Sequence, residues 1–225
     1  MFIYFIVDDY DDYGLQPMKT QKSTNQHPTL LYNTVDVNLD PMTNHPWLLL
    51  SDDYKKVQEA LQESYVPPSS QRFDTWPCVL GWEGYMQGRQ HYWEVDVHCC
   101  SDWAVGVAYG SLNRKGQDKS TKLGRNRMSW CLEFKDGHLS AWHNDRHVAL
   151  SGRAGRGAPD RVGVYVNYQK GPSTAVFERA YHQFTEPLFP AFRFFKARDG
   201  QSRETRKLSE PTGKKNERNV KKCFR

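Results

Sequence analysis

The chain has 225 residues, with 31 Lys plus Arg against 26 Asp plus Glu, which suits one domain flanked by tails. Only 38% of the residues are hydrophobic, but 13% are aromatic, so a packed core can form. No apolar run approaches the ~18 residues that a membrane helix needs, so we expect no membrane span. Five cysteines in a chain of this length exclude a disulfide scaffold.

The N-terminus begins with the apolar run MFIYFIV and then becomes acidic. It carries neither the basic region nor the small-residue cleavage site of a signal peptide. Because residues 1–33 show no sustained periodicity, we predict a weakly ordered leader there. The odd set of cysteines is typical of a reducing compartment, and we expect a cytoplasmic protein.

Short strand-like runs between turn residues begin at about residue 34. Alternating apolar residues, bounded by turn signals, predict strands at His91–Val97, Trp103–Tyr109, Ser129–Phe134, Leu139–His143, Arg161–Tyr168, Thr174–Glu178 and Leu188–Phe195. Asp136-Gly137 predicts a hairpin turn because both residue types tolerate positive φ. Many short strands without a βαβ rhythm predict an antiparallel sandwich or barrel.

One segment favours a helix instead. Residues 51–64 (SDDYKKVQEALQES) combine a candidate N-cap, early acidic residues and good helix formers. By propensity alone, this segment is predicted to be helical.

The net charge of +5 is located in the C-terminal tail. Residues 196–225 hold 11 Lys or Arg and 4 Asp or Glu, a net charge of +7, whereas the other residues hold 20 and 22, a net charge of −2. A basic tail attracts polyanions without specificity. We therefore predict a basic, disordered tail at 196–225 and no specific nucleic-acid partner.

Catalytic and metal-binding motifs are missing from the sequence. No C-x2-C pair occurs, and His98, Cys99 and Cys100 are consecutive, so that a strand would point them to opposite faces. There is no G-x-S-x-G elbow, and the glycine-rich run SGRAGRGAP lacks the G-K-[ST] ending of a phosphate loop. We predict no metal, no cofactor and no enzymatic activity for this chain.

A basic loop separates two of the predicted strands. Residues 113–127 (NRKGQDKSTKLGRNR) hold six Lys or Arg and a single acidic residue, Asp118. This loop either binds an anionic partner through charge-assisted hydrogen bonds or is simply solvated.

Seven motifs in a fixed order carry a family resemblance. They are VDVNLDPMTNHPWLLLSDD (35–53), FDTWPCVLGWEGYMQGRQHYWEVDV (73–97), WAVGVAY (103–109), SLNRKG (111–116), SWCLEF (129–134), RVGVYVNYQKG (161–171) and FTEPLFPAFRFF (184–195). The chain resembles the PRY-SPRY domain at the C-terminus of TRIM-type E3 ubiquitin ligases, butyrophilins and fish immune proteins. The resemblance covers 34–195, with PRY at about 34–85 and SPRY at about 86–195.

The resemblance implies an all-β fold, namely a bent sandwich of two antiparallel sheets, similar to jelly rolls and concanavalin, with disordered tails. It also replaces the helix predicted by propensity with strands at 48–50 and roughly 55–60 around a turn at Asp52-Asp53.

The resemblance further implies a non-catalytic module that is monomeric in isolation and binds a protein. In a TRIM-type ubiquitin ligase or innate-immune protein, it would select the target. The family binds through loops at one end of the sandwich, here 72–79, 98–103, 110–128 and 143–160. Aromatic and Arg side chains are the usual binding hot spots, which predicts a partner site formed by Trp76, Arg114, Lys115, Arg125, Trp142 and His143.

Two alternatives stay open. Some butyrophilins sense phosphorylated small molecules, and Arg114 and Lys115 match basic positions of their loop, although Ala104 stands where these proteins carry a His. In the second alternative, the chain is a truncated fragment without a partner. Two departures from the family pattern favour it: 172–183 is about ten residues shorter, and an apolar closing strand is missing after Phe195. Trp76 and Trp142 are equally compatible with core positions.

Overall fold

The computed structural model describes residues 2–7, 34–85, 90–98, 100–150, 158–167 and 184–195. Strands dominate these ranges, with one 3-10 turn at Lys119–Thr121. The strands are β1 Phe2–Val7, β2 Leu48–Leu50, β3 Val57–Glu59, β4 Cys78–Leu80, β5 Gln90–Asp96, β6 Trp103–Tyr109, β7 Ser129–Lys135, β8 His138–His143, β9 Arg146–Ala149, β10 Arg161–Asn167 and β11 Leu188–Phe194.

The larger sheet has six strands in the order β4-β11-β6-β7-β8-β9, and every adjacent pair is antiparallel. β6 lies near the middle and is buried along its whole length. Its sequence WAVGVAY alternates large and small residues, so one face carries bulky side chains and the other carries Ala104, Gly106 and Ala108. The sheet can therefore pack on both faces.

The second sheet has the order β1-β10-β5, again antiparallel. The bulky face of the six-stranded sheet packs against it and forms one core, which includes Trp93 and Val164 from the smaller sheet and Val105 and Leu132 from the larger one. Each fully buried aliphatic or aromatic side chain stabilises such a core by about 1.5–3 kcal/mol. The predicted two-sheet antiparallel sandwich is confirmed.

A second apolar cluster covers the other face of the six-stranded sheet, called here the outer face. Small residues of the sheet, including Ala104 and Ala191, leave room for Phe73, Leu112 and Leu123 of the connecting loops. The loops at 72–77 and 110–128 are therefore anchored to the sheet by buried side chains.

The Asp136-Gly137 hairpin is confirmed between β7 and β8. Asp136 has φ 50° and Gly137 has φ 78°. A two-residue turn that matches the twist of its strands requires such positive φ values at both positions. Asn144 and Asp145, with φ 50° and 60°, form the equivalent turn between β8 and β9.

The helix predicted from propensity at 51–64 does not form, and the strand pair implied by the resemblance is confirmed. β2 and β3 pair with Leu48 opposite Glu59 and Leu50 opposite Val57. Leu48 and Val57 are each only 1% exposed. Burial of Val57 in the core outweighs the weak helical preference of its neighbours.

The predicted leader is wrong for its first residues, because Phe2–Val7 forms β1 and pairs with β10. Ile3 is buried in the core, and Phe5 and Val7 pack against it, whereas Ile6 is exposed. The run FIYFIV is apolar at every position, so its sequence shows no alternation although its two faces have different environments. The remaining leader, the strand predicted at 174–178, the short 172–183 segment and the tail at 196–225 lie outside the described residues.

Candidate partner-binding site

A row of three side chains crosses the outer face of the six-stranded sheet. Arg193 of β11 lies opposite Ala104 of β6, and Ala104 lies opposite Glu133 of β7. Because Ala104 is small, the Arg193 guanidinium reaches over it, and its Nη2 lies 2.5 Å from Glu133 Oε2.

Arg125, from the 110–128 loop, binds the same carboxylate. Its Nη2 donates to Glu133 Oε1 and Oε2 at 3.0 and 2.9 Å. The side chains of Arg193, Glu133 and Arg125 are only 1%, 5% and 10% exposed. Two buried guanidinium groups thus share one carboxylate, and the network keeps a net positive charge.

Trp142 of β8 is held by this network. The Arg125 guanidinium carbon lies 3.1 Å from the centroid of the Trp142 ring, and His147 of β9 stacks on the same ring with 4.3 Å between centroids. Gly124 makes the arrangement possible. It has φ +78°, and a Cβ there would lie 2.6 Å from Cys131 Sγ and 2.8 Å from Trp142 Cβ.

Trp76 and Lys122 form a second cation–π pair. Lys122 Nζ lies 4.5 Å from the centroid of the Trp76 ring. The Trp76 indole donates from Nε1 to Thr121 Oγ1 at 3.1 Å, which connects the 72–77 loop to the 110–128 loop. Burial, together with the cationic Arg193 and Arg125, lowers the pKa of Lys122. Within the described ranges, no carboxylate forms an ion pair with the Lys122 ammonium.

Three of the six predicted site residues come together. With Lys122 they form what we call the basic-aromatic cluster: Trp76, Lys122, Arg125 and Trp142. Both Trp residues are half-buried, whereas the Arg125 side chain is almost fully buried. These rings also contact the outer apolar cluster, so they are both packed and accessible.

The other three predicted residues lie elsewhere. Arg114 donates to the Gly110 carbonyl at 2.8 Å, and burial lowers its pKa. Lys115 is exposed and donates to the Ser69 carbonyl at 3.1 Å. His143 follows Trp142 on β8, and adjacent residues of a strand point to opposite faces. His143 therefore points to the core side of the sheet, where it stacks on Trp130 with 4.5 Å between ring centroids.

Four residues of the site were not predicted from the sequence: Lys122, Glu133, His147 and Arg193. Glu133 and Arg193 are charged residues inside the strand motifs SWCLEF and FPAFRFF. An isolated charge at a strand position that shares a face with small residues is the signal that would have found them, because a buried charge requires a partner.

The described free thiols do not supply a nucleophile. Burial raises the pKa of both Cys78 and Cys131 to about 12, so each remains a protonated, apolar side chain. Within the part of the chain that the structure describes, no cluster of three His, Cys, Asp or Glu could hold a metal ion.

His98 is part of the 98–103 loop, where it joins the end of β5 to the start of β10. Its Nδ1 lies 2.6 Å from Asp160 Oδ1, and this hydrogen bond raises the pKa of His98. A raised pKa means that the pair stabilises the fold below the unfolded His pKa, and that this stabilisation is lost as pH rises through the folded value.

We therefore expect Asp160→Asn to lower the His98 pKa toward its ordinary value of about 6.5 in an NMR titration. The difference in Tm between the variant and the wild type should shrink as pH rises above the folded pKa. A His98 titration that is the same in both proteins would contradict the pairing.

Comparison with known proteins identifies the family. Residues 37–85 match the PRY model, the SPRY-associated domain, and residues 90–205, more than half of the chain, match the SPRY domain model. This chain belongs to the SPRY domain family. The resemblance inferred from the seven motifs is confirmed.

Curated relatives and solved structures agree with this assignment. The SPRY chain is 36% identical over 158 residues to human butyrophilin subfamily 1 member A1, covering 70% of this chain and 27% of the relative. It is 39% identical over 167 residues to mouse tripartite motif-containing protein 14, covering 70% and 37%. It matches the stonustoxin structure with a TM-score of 0.62 and 28% identity, over 73% of this chain and 27% of that one. It matches the TRIM65 PSpry domain with a TM-score of 0.60 and 25% identity, over 77% and 94%.

The SPRY chain thus spans only 27% and 37% of the length of these two curated relatives. SPRY domains of the TRIM and butyrophilin type are generally non-catalytic protein-interaction modules, in agreement with the predicted class. Among the described residues, no helix has the length and apolar character needed to cross a bilayer.

Proposed function

We propose that this SPRY domain selects a protein target through the basic-aromatic cluster. One observation carries the proposal: each of two half-buried Trp rings contacts a cation of the 110–128 loop, and this loop is anchored to the six-stranded sheet. Trp and Arg are the side chains most enriched in binding hot spots, and loops on a rigid scaffold commonly carry recognition.

The cluster is held in place before any partner binds. Arg125 is fixed by Glu133 on one side and by the Trp142 ring on the other, and Trp76 is fixed by Thr121. Preorganised side chains lose little conformational entropy on binding, which favours affinity. By analogy with its relatives, we place the domain in the cytoplasm as the target-selecting part of a TRIM-type ubiquitin ligase or another innate-immune protein.

The alternative of a sensor for phosphorylated small molecules is disfavoured by Glu133. This carboxylate already occupies both Arg125 and Arg193, so neither guanidinium presents a free fork to a phosphate. Ala104, in place of the sensor His, is fully buried between Arg193 and Glu133.

The alternative of a fragment without a partner is disfavoured by the core. Side chains from both described sheets form one continuous buried cluster. Such a core is expected of a folded domain.

Selection of binders from a displayed peptide library against the full chain tests the proposed site. We expect the selected binders to lose at least about tenfold in affinity for Trp76→Ala and Trp142→Ala, because hot-spot truncations cost about 2 kcal/mol or more. Trp82→Ala is the matched control, since Trp82 is 58% exposed and lies outside the cluster.

Thermal unfolding of each variant establishes that it is folded before its binding is scored. Binders that tolerate both cluster variants but lose affinity for Trp82→Ala would place the site elsewhere and contradict the proposal.

A further inference from the structure

We propose that the protein bound by the basic-aromatic cluster presents an Asp or Glu side chain whose carboxylate docks on the Lys122 ammonium beside the Trp76 ring. The inference rests on the proposed function and adds the chemistry of the partner.

The first argument is the pairing of the loop cations. Arg114 and Lys115 are bound to backbone carbonyls, Lys119 Nζ lies 2.5 Å from Asp145 Oδ2, and Arg125 is bound to Glu133. The sixth loop cation, Arg127, is exposed. Lys122 differs from the others because it is half-buried and, within the described ranges, its ammonium contacts an aromatic ring and neither a carbonyl oxygen nor a carboxylate.

The second argument is the burial of Lys122. A fully solvated lysine needs no partner, but Lys122 is half-buried, and desolvation is the main reason for its lowered pKa. Loss of hydration destabilises a cation unless a nearby carboxylate compensates for it. A partner carboxylate would supply the missing counter-charge.

The third argument is the charge around the site. The cations Arg193, Arg125 and Lys135 each lower the pKa of Lys122, and Glu133 is the acidic group that raises it. Arg125 Nη1 and Arg193 Nε are buried and have no hydrogen-bond partner, so the network has more donors than acceptors. Its field favours an additional anion and opposes a basic partner segment.

The available cation also indicates which anion fits. Lys122 is a single point charge, whereas the two guanidinium forks that suit a phosphate are already bound to Glu133. The flanking indole rings suit apolar neighbours of an acidic residue in a polypeptide. These features favour a protein carboxylate over a diphosphate.

The probe for a direct test is hexaglutamate, with hexaglutamine as its uncharged counterpart. In NMR spectra of the full chain, we expect hexaglutamate to shift the Trp76 indole N–H signal saturably and hexaglutamine to leave it unchanged. Lys122→Gln should weaken hexaglutamate binding about fivefold, the upper range for a partly exposed ion pair. Lys115→Gln, in the same loop, should leave the affinity within about twofold.

Either of two results from this titration would overturn the inference. One is equal weakening by Lys122→Gln and Lys115→Gln, and the other is displacement of labelled hexaglutamate by pyrophosphate at a lower concentration than by unlabelled hexaglutamate. Library binders that depend on Trp142, contain no acidic residue and tolerate Lys122→Gln would also overturn it. That last result would leave the proposed protein-binding site intact, so the two proposals can fail separately.

Discussion

Replacement of Glu133 with Gln is expected to lower the free energy of unfolding by about 3–5 kcal/mol, the usual cost of removing one partner from a buried ion pair. Gln keeps the shape of the side chain but removes the negative charge that Arg125 and Arg193 share. Two guanidinium groups that are at most 10% exposed would then have no counter-charge. Urea denaturation followed by tryptophan fluorescence measures the change.

Arg193→Met is the matched control for Glu133→Gln. It removes one cation and fills the space with an apolar side chain, while Glu133 keeps Arg125 as its partner. We expect Arg193→Met to cost less than Glu133→Gln. If Glu133→Gln changed the free energy of unfolding by less than about 1 kcal/mol, the carboxylate would be dispensable, and the preorganisation argued for Arg125 and Trp142 would lose its basis.

The β-strands of the SPRY region were predictable because their core faces alternate with polar or small residues. The strand Trp103–Tyr109 was predicted with the bounds that the structure gives it. The strand pair β2–β3 required the family resemblance, since helix propensity reports local preference and not the tertiary burial of Leu48 and Val57. β1 was missed because each of its positions is apolar, which hides the alternation.

The residues of the candidate site were predictable in part. Exposed loops and residue type were sufficient to select Trp76, Arg125 and Trp142. They also selected His143, which the sequence places beside Trp142 but the strand places on the opposite face. Glu133 and Lys122 were not selected, because their contacts join distant parts of the sequence. Glu133 neutralises arginines from two other elements, and Lys122 lies on a ring from a distant loop.

Replacement of Ile3 with Asp is expected to destabilise the domain by about 3 kcal/mol or more, because it removes a buried aliphatic side chain and places a carboxylate in the core. Ile3 is 3% exposed and belongs to the core between the sheets, where β1 pairs with residues 162–167 of β10. A weakly ordered leader would tolerate the same change without loss of stability. The free energy of unfolding in urea therefore measures whether the N-terminal strand belongs to the folded domain.

Ile6→Asp is the control, because Ile6 lies on the same strand but is 39% exposed. The two variants have the same change in composition, net charge and strand propensity, so they differ only in the face of β1 that is altered. We expect Ile6→Asp to cost less than about 1 kcal/mol. Equal effects of both substitutions would contradict the register in which Ile3 faces Val166 and Ile6 faces Gly163. A large effect of Ile3→Asp alone would show that β1 closes the edge of β10 and contributes directly to the core that supports the loops of the candidate site.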